Sequence, residues 1–359
     1  MRIRFVPSAL LAIAAVSSAV GCRKHESGVG QAHASTTQQP QGKPAAAPPG
    51  SGSGSPEEEE SNNPLAAIGQ GAKKWRDTGV YVDGRPVGVL SFGELPITLK
   101  PVWVEEEHSI EFGPDDKGPR TSKSVARRYR FTELLTALGV DLGKVKTIHV
   151  LGPKMTEVIS ASGKELRARG KEFMFRFGAN TGGKAIPVVP LNFGNHVKPD
   201  KIAAVMVYID KKPPEIVQDE GMVLDGKPID GIPYYGDPLR GGIRVYQDDR
   251  LAMTIKRPML RETTPLPSTD GKQRYKLWPL LVANGVDVSK VVEGWTIADE
   301  TRKQRLTRAQ LEELTFQIGA KEKNELLIDG TERVNALALH ARKLVDADLP
   351  KLRPEEQQN

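Results

Sequence analysis

Apolar and polar positions are distributed very differently along this chain. Residues 1–22, MRIRFVPSALLAIAAVSSAVGC, hold two arginines, an apolar run centred on Leu10 to Val16, and small residues ending at Cys22. That order predicts an export leader that is cleaved away. Residues 23–74 have no helical or strand period and are rich in Gly, Ala, Pro, Ser and Gln, as in PAAAPPGSGSGSP. The acidic run Glu57 to Glu60 follows. Such a stretch cannot bury a core, and it predicts a disordered tether. Roughly fifty residues of coil reach about 40 Å, enough to hold a folded part away from a surface.

From Trp75 the pattern becomes ordered, and it occurs twice. VYVDGRPVG (80–88) returns as MVLDGKPID (222–230), and RYRFTELLTALGVDLGKV (128–145) as RYKLWPLLVANGVDVSKV (274–291). FRFGA (175–179) returns as FQIGA (316–320), and IAAVMV (202–207) more faintly as VNALAL (334–339). The offsets are 142, 146, 141 and 132, in unbroken order. Two tandem copies of a unit of about 140 residues are expected, a first domain over 75–216 and a second over 217–359.

Each copy reads as α+β, strand-rich, with one or two short helices. An opening strand meets a turn at Asp83-Gly84 or Asp225-Gly226, dipeptides that tolerate positive φ. In the first copy a second strand is expected near Ile97 to Val104, then a turn at GPDDKGP. Phe131, Leu134, Leu135 and Leu138 repeat at helical spacing, and Gly139 stands where a C-cap glycine belongs. Leu277, Leu280, Leu281 and Gly285 do the same in the second copy, with Pro279 predicting a later helix start. Strands are expected at VKTIHVLG and EFMFRFG, and a closing strand at AAVMVYI.

The stretch GANTGGKA (178–185) fits G-x-x-x-x-G-K of a phosphate-binding loop, with Ala185 where Ser or Thr would hold magnesium. A phosphate loop needs a helix after it, so that N-terminal amides face the anion. AIPVVPLNF follows instead, an extended segment with two prolines. A loop between strands is expected, without nucleotide.

Composition narrows the setting. The 359 residues are 38% hydrophobic and 27% charged, and they contain one cysteine, Cys22. Ala19-Val20-Gly21-Cys22 resembles a lipobox, which implies acylation of the Cys22 thiol and cleavage before it. Several acyl chains would anchor the protein stably. Arg23 in place of Asp implies sorting to the outer membrane, on its periplasmic side or at the cell surface. A lone cysteine spent on lipid leaves no disulfide framework, thiolate cluster or cysteine nucleophile. The net charge of +6 falls to about +4 without Arg2 and Arg4, too little over this length to argue for nucleic acid.

In the first copy VDGRPVGVLSFGELP (82–96), RRYRFTELLTALGV (127–140), TIHVLGPKMTEVISASGKEL (147–166) and IPVVPLNFGNHVKPDKIAAVMVYID (186–210) resemble the molybdopterin-binding domain of sulfite-oxidase-like enzymes. The second copy resembles it more loosely over 222–345. The resemblance implies the scaffold. It would also imply molybdopterin, held through a cysteine just after the second strand, but LKPVWVEEE (99–107) has none. A soft metal wants that thiolate, so no cofactor and no catalytic residue is expected.

Other chemistry is sparse. Glu106 and His108 share a strand face near Glu111, without a third ligand. Just before each helix lies a basic-aromatic step: Arg128, Tyr129 and Arg130 in the first copy, Arg274, Tyr275 and Lys276 in the second. Either the tyrosines pack while the cations flank the surface, or the steps form an anion or partner site. A non-catalytic binding or scaffolding lipoprotein with an envelope protein partner is expected. The alternatives are a molybdopterin-dependent oxidoreductase with an atypical metal ligand, and a binder of a small anion.

Overall fold

The computed structural model describes residues 78–110, 120–153, 157–178, 184–190, 192–196, 198–217, 221–229, 233–234, 239, 242–267, 269–298, 301–318, 324–327 and 333–349. The leader, Cys22 and the tether lie outside these. The described residues are strand-rich with a few short helices, arranged in several sheets, as an α+β reading requires.

The first half opens with β1 (Gly79–Val82), β2 (Arg85–Val89), β3 (Val102–Ile110) and β4 (Arg120–Arg130). Helix α1 (Phe131–Ala137), β5 (Thr147–Leu151), β6 (Val158–Ser162) and α2 (Gly163–Arg169) follow. It closes with β7 (Met174–Phe177), β8 (Ala185–Val188), β9 (Asn195–His196) and β10 (Ala204–Tyr208). A connecting three-stranded sheet comprises β11 (Glu215–Val217), β12 (Gly221–Leu224) and β13 (Lys227–Ile229). The second half contains β14 (Gly242–Gln247), β15 (Arg250–Lys256), β16 (Tyr275–Lys276), α3 (Leu277–Ala283) and β17 (Glu293–Ala298). After these come β18 (Thr301–Thr307), α4 (Arg308–Glu313), β19 (Thr315–Ile318), β20 (Asn324–Leu327) and β21 (Ala336–His340).

The main sheet of the first half runs β2-β1-β10-β5-β6-β9, and that of the second runs β15-β14-β21-β17-β18. In each, the opening strand pairs parallel with the closing one, β1 with β10 and β14 with β21. Small hydrogen bonds repeat as well. The Asp83 amide donates to Val207 O and the Asp248 amide to Leu339 O, while Val140 N–Leu135 O is matched by Val286 N–Leu281 O. The Asp83 carboxylate accepts from Ile209 N, and that of Asp248 from Ala341 N.

This topology corrects the pairing of opening strands read from the sequence. The strand pair in the place of β1–β2 is β14–β15, turning at Asp248-Asp249, not the look-alike MVLDGKPID. That stretch forms β12–β13, and Met222, Leu239 and Ile229 from the connector pack on Tyr81, Met206 and Tyr208 of the first sheet. The boundary expected between residues 216 and 217 falls inside β11, and both halves belong to one compact unit. Covered on both faces, β10 (AVMVY) and β21 (ALALH) are buried throughout.

Leucine spacing does what it predicts. Phe131, Leu134 and Leu135 of α1 pack on Ile148, Val205 and Val207, and Leu277, Leu280 and Leu281 of α3 on Val245, Leu337 and Leu339. Gly139 and Gly285 take φ of +85° and +78° past the helix ends. Helix α3 starts at Leu277, earlier than Pro279 suggested, because a first-turn proline has no N–H that the helix needs. The strand expected at Ile97–Val104 starts only at Val102, since the Ile97 and Thr98 amides donate to Asp249 instead. Between Gly178 and Lys184 the chain joins β7 to antiparallel β8, so GANTGGK links two strands; residues 179–183 lie outside the described ones.

Candidate functional site

The basic-aromatic steps are built alike. Tyr129 is buried and stacks on Phe175 at 5.5 Å; Tyr275 is buried 5.9 Å from Phe316. The cations turn to carboxylates: Arg128 to Glu106 at 2.6 Å, Arg130 to Glu133 at 2.6 Å, Arg274 to Asp270 at 2.6 Å and Lys276 to Glu313 at 2.8 Å. The six residues do not converge on one site at a helix end. Glu106 also meets Arg176 at 3.6 Å, while the side chain of His108 and all of Glu111 lie outside the described residues.

Tyr275 nevertheless lines a groove of about 900 Å³ in the second half. One wall is the 3-10 turn Arg257–Leu260 after β15 with Arg261; the other is Gly271–Gln273 and Ile318. Pro258 sits in the first turn, where no amide is lost. The guanidinium groups of Arg257 and Arg261 and the Lys272 ammonium are exposed along it. Among the described residues no carboxylate pairs with Arg261 or Lys272. Sequence reading passed over these cations because KRPMLRETTPLPSTDGKQR has neither period nor motif; its only local sign was a cluster of cations between prolines.

The corresponding place in the first half is narrower, about 260 Å³. There the turn Phe92–Glu94 follows β2, and Lys100, Trp103, Arg127 and Tyr129 share the lining with Ala347, Asp348 and Leu349 from the C-terminal part of the chain. The Arg127 guanidinium lies 4.4 Å from the Phe92 ring centroid and 5.9 Å from that of Trp103, covering both faces by cation–π contact.

Between the halves lies a buried ionic cluster. Arg244 donates through Nε and Nη2 to the two Glu94 oxygens, each at 2.6 Å, and Tyr246 Oη donates to Glu94 Oε2 at 2.6 Å. Asp249 accepts from Ile97 N and from Thr98 N and Oγ1. Arg302 Nη1 lies 3.1 Å from His340 Nε2. Burial, then the Arg302 charge, push His340 down to about 4, against the opposing pull of Asp249, Asp248 and Glu293. With the imidazole neutral, Nε2 accepts from Arg302. Glu94 is satisfied by three donors, which is what a buried carboxylate needs. Glu94, Arg244, Tyr246, Asp249 and His340 are all buried, and the cluster ties the two halves together.

A third concavity, about 620 Å³, lies where the β1–β2 turn meets β15, lined by Asp83, Arg85, Lys211, Tyr234 and Met253. Burial works to raise the Asp83 carboxyl, but the amides of Asp210, Ile209 and Lys211 and the Lys146 charge outweigh it and hold its pKa low.

Molybdenum chemistry finds no fit in these residues. Where a sulfite-oxidase-like scaffold would place a thiolate, the chain has LKPVWVEEE (99–107), with Leu99 buried in the core. The donors nearby are nitrogen and oxygen, which suit a soft metal poorly. Among the described residues no group of three or more His, Cys, Asp or Glu is placed to hold a metal, and no helix is long and apolar enough to cross a membrane. Comparison with models of known families, with curated proteins and with solved structures found no match.

Proposed function

We propose that this chain is a non-catalytic envelope lipoprotein, anchored through Cys22 and built from two tandem copies of a sulfite-oxidase-like unit. In this reading the first copy and the connector serve as a platform, and the groove of the second copy binds an anionic partner. The observation that carries it is the contrast between the two grooves. The first is narrowed by the chain's own residues and by Arg127 stacked on aromatic rings. The second is wide, with exposed Arg261 and Lys272 beside an apolar floor of Leu260, Tyr275 and Ile318. Cations of one sign along a concave surface raise the local concentration of anions and speed their arrival. The tether would let the groove work at about 40 Å from the membrane.

A photo-crosslinking residue at Gln273, on the groove wall, should give adducts in intact cells. The same residue at the exposed Ala309, away from the groove, should not. Cys22→Ser should release the protein from membranes and remove the adducts. Equal labelling from both positions would sink the groove as the binding site. About one molybdenum per chain in protein purified from native membranes would overturn the non-catalytic reading.

A further inference from the structure

Resting on that reading, we infer that the second groove takes an extended acidic peptide segment of a partner protein, with a carboxylate beside an apolar side chain. The first groove provides the pattern. After β21 the chain leaves the second half, Leu344 is buried with its amide donating to Glu293 at 3.0 Å, and Ala347–Leu349 come to line the first groove. Asp348 is held in shape by Arg342, at 2.7 and 2.9 Å, and by the Val345 amide, while the Lys100 charge adds to the pull that keeps its carboxyl ionised. A short acidic-apolar stretch, Ala347-Asp348-Leu349, is therefore what already lies along a groove of this type.

The second groove occupies the same place relative to its sheet. It follows the β14–β15 pair as the first follows β1–β2, and it is backed by the tyrosine that precedes the helix. No described segment of the chain fills it in the way 347–349 narrow the first. It is also more cationic: in the turn after the strand pair Arg257 and Arg261 stand where the first half has Phe92 and Pro96, and Lys272 adds a third cation, whereas the first groove has Lys100 and the ring-stacked Arg127. Its apolar side, half-buried Ile318 above the core residues Leu260 and Tyr275, suits a peptide side chain better than a compact inorganic anion. Arg261 adds fork-shaped donors that match a carboxylate.

The test uses the full mature chain in detergent and a fluorescent peptide with the sequence of residues 345–350, read by anisotropy. The peptide should bind in a salt-sensitive way. Arg261→Glu and Lys272→Glu should each weaken it about tenfold or more, with unchanged circular dichroism. Lys100→Glu, at the first groove, should leave the affinity within about twofold. A peptide with both Asp replaced by Asn should lose binding to the same degree as Arg261→Glu. If the Asn peptide binds equally well, or if neither charge reversal matters, the inference is wrong. If inorganic phosphate alone displaces the peptide at sub-millimolar concentration, the groove is a small-anion site and the peptide class falls, while crosslinking at Gln273 still stands. If the chain self-associates and Arg261→Glu dissociates it, the occupant is a second copy's C-terminal segment, and the partner-protein inference is overturned.

Discussion

In the first half the 3-10 turn after β2 ends in Glu94, which is 5% exposed and grips Arg244 and Tyr246 of the other half. In the second half the turn after β15 has Met259 in that position, and the surrounding Arg257 and Arg261 face solvent. The sheets differ in the same sense. The outer face of the first is covered by the connector, through Met222, Leu239 and Ile229. On the second, Tyr246 meets the Glu94 turn, and the Leu344 amide donates to Glu293 of β17. One set of strand pairings thus carries a turn buried against the other half in one place and an exposed, basic turn in the other. Fold alone does not assign a task to either; the side chains on one short turn do.

The largest effect should come from separating the halves. A fragment 75–214 lacks the connector and exposes Tyr81, Met206 and Tyr208. Burial of Met222 and Leu239 alone contributes about 1.5–3 kcal/mol each. Residues 75–240 should therefore melt cooperatively and well above 75–214 when followed by circular dichroism. If 75–214 is as stable as the longer fragment, the connector is not part of the first half's core.

Next comes the weld. Glu94→Ala leaves the Arg244 guanidinium buried without its carboxylate, and should cost about 3–5 kcal/mol. The paired replacement Glu94→Leu with Arg244→Met should restore most of that, since a buried ion pair often matches its apolar substitute in stability. Urea unfolding of the three proteins measures this. A mild Glu94→Ala would mean that the halves are held elsewhere.

Among the described side chains His149 and His340 are buried in the two main sheets, which gives a test by pH. Burial pushes His149 down to about 4, and burial with the Arg302 charge does the same to His340. The ordinary value is near 6.5, so the unfolded chain takes up these protons first as pH falls. Stability is then full above about pH 6.5 and declines as pH drops through 4, by up to about 3 kcal/mol for each histidine. His149→Gln and His340→Gln should each flatten the loss between pH 7 and pH 4. A profile unchanged by His340→Gln would show that the imidazole is not held neutral beside Arg302.

How much of this was legible follows from range. Helices α1 and α3 and their glycine caps were readable because Leu134, Leu135, Leu280 and Leu281 act over one or two turns. The loop at GANTGGK was readable because Pro187 and Pro190 forbid the helix a phosphate site needs. The closing strands at 204–208 and 336–340 were readable from their unbroken apolar character, but the likeness of 222–230 to 80–88 misled. A hairpin that packs on the outside of a sheet needs the same Asp-Gly turn as one that opens it. Glu94 and Arg244 are 150 residues apart, and no local period announces that two charged residues will be buried together. The basic groove was illegible for the opposite reason. Surface cations obey no packing constraint, so only the folded chain gathers Arg257, Arg261 and Lys272.

The smallest expected effect separates the two look-alike turns. Gly84 and Gly226 both follow an aspartate with positive φ, and both adopt the left-handed region themselves, at +84° and +75°. Their surroundings differ. A Cβ on Gly84 would stand 2.2 Å from the carbonyl oxygen of Tyr234, whereas one on Gly226 would meet nothing within 4 Å. Tyr234 is itself held at φ +61°, and its hydroxyl donates to Lys212 O at 2.9 Å, so its backbone cannot retreat without giving up that anchorage. Gly226→Ala should cost only the left-handed penalty, about 1–2 kcal/mol. Gly84→Ala adds a clash with backbone, which in packed sites costs a further 1–3 kcal/mol or so. Thermal melts of the two single variants decide it. Equal losses would mean that the connector does not rest on the β1–β2 turn, and that the first half is no better covered than the second.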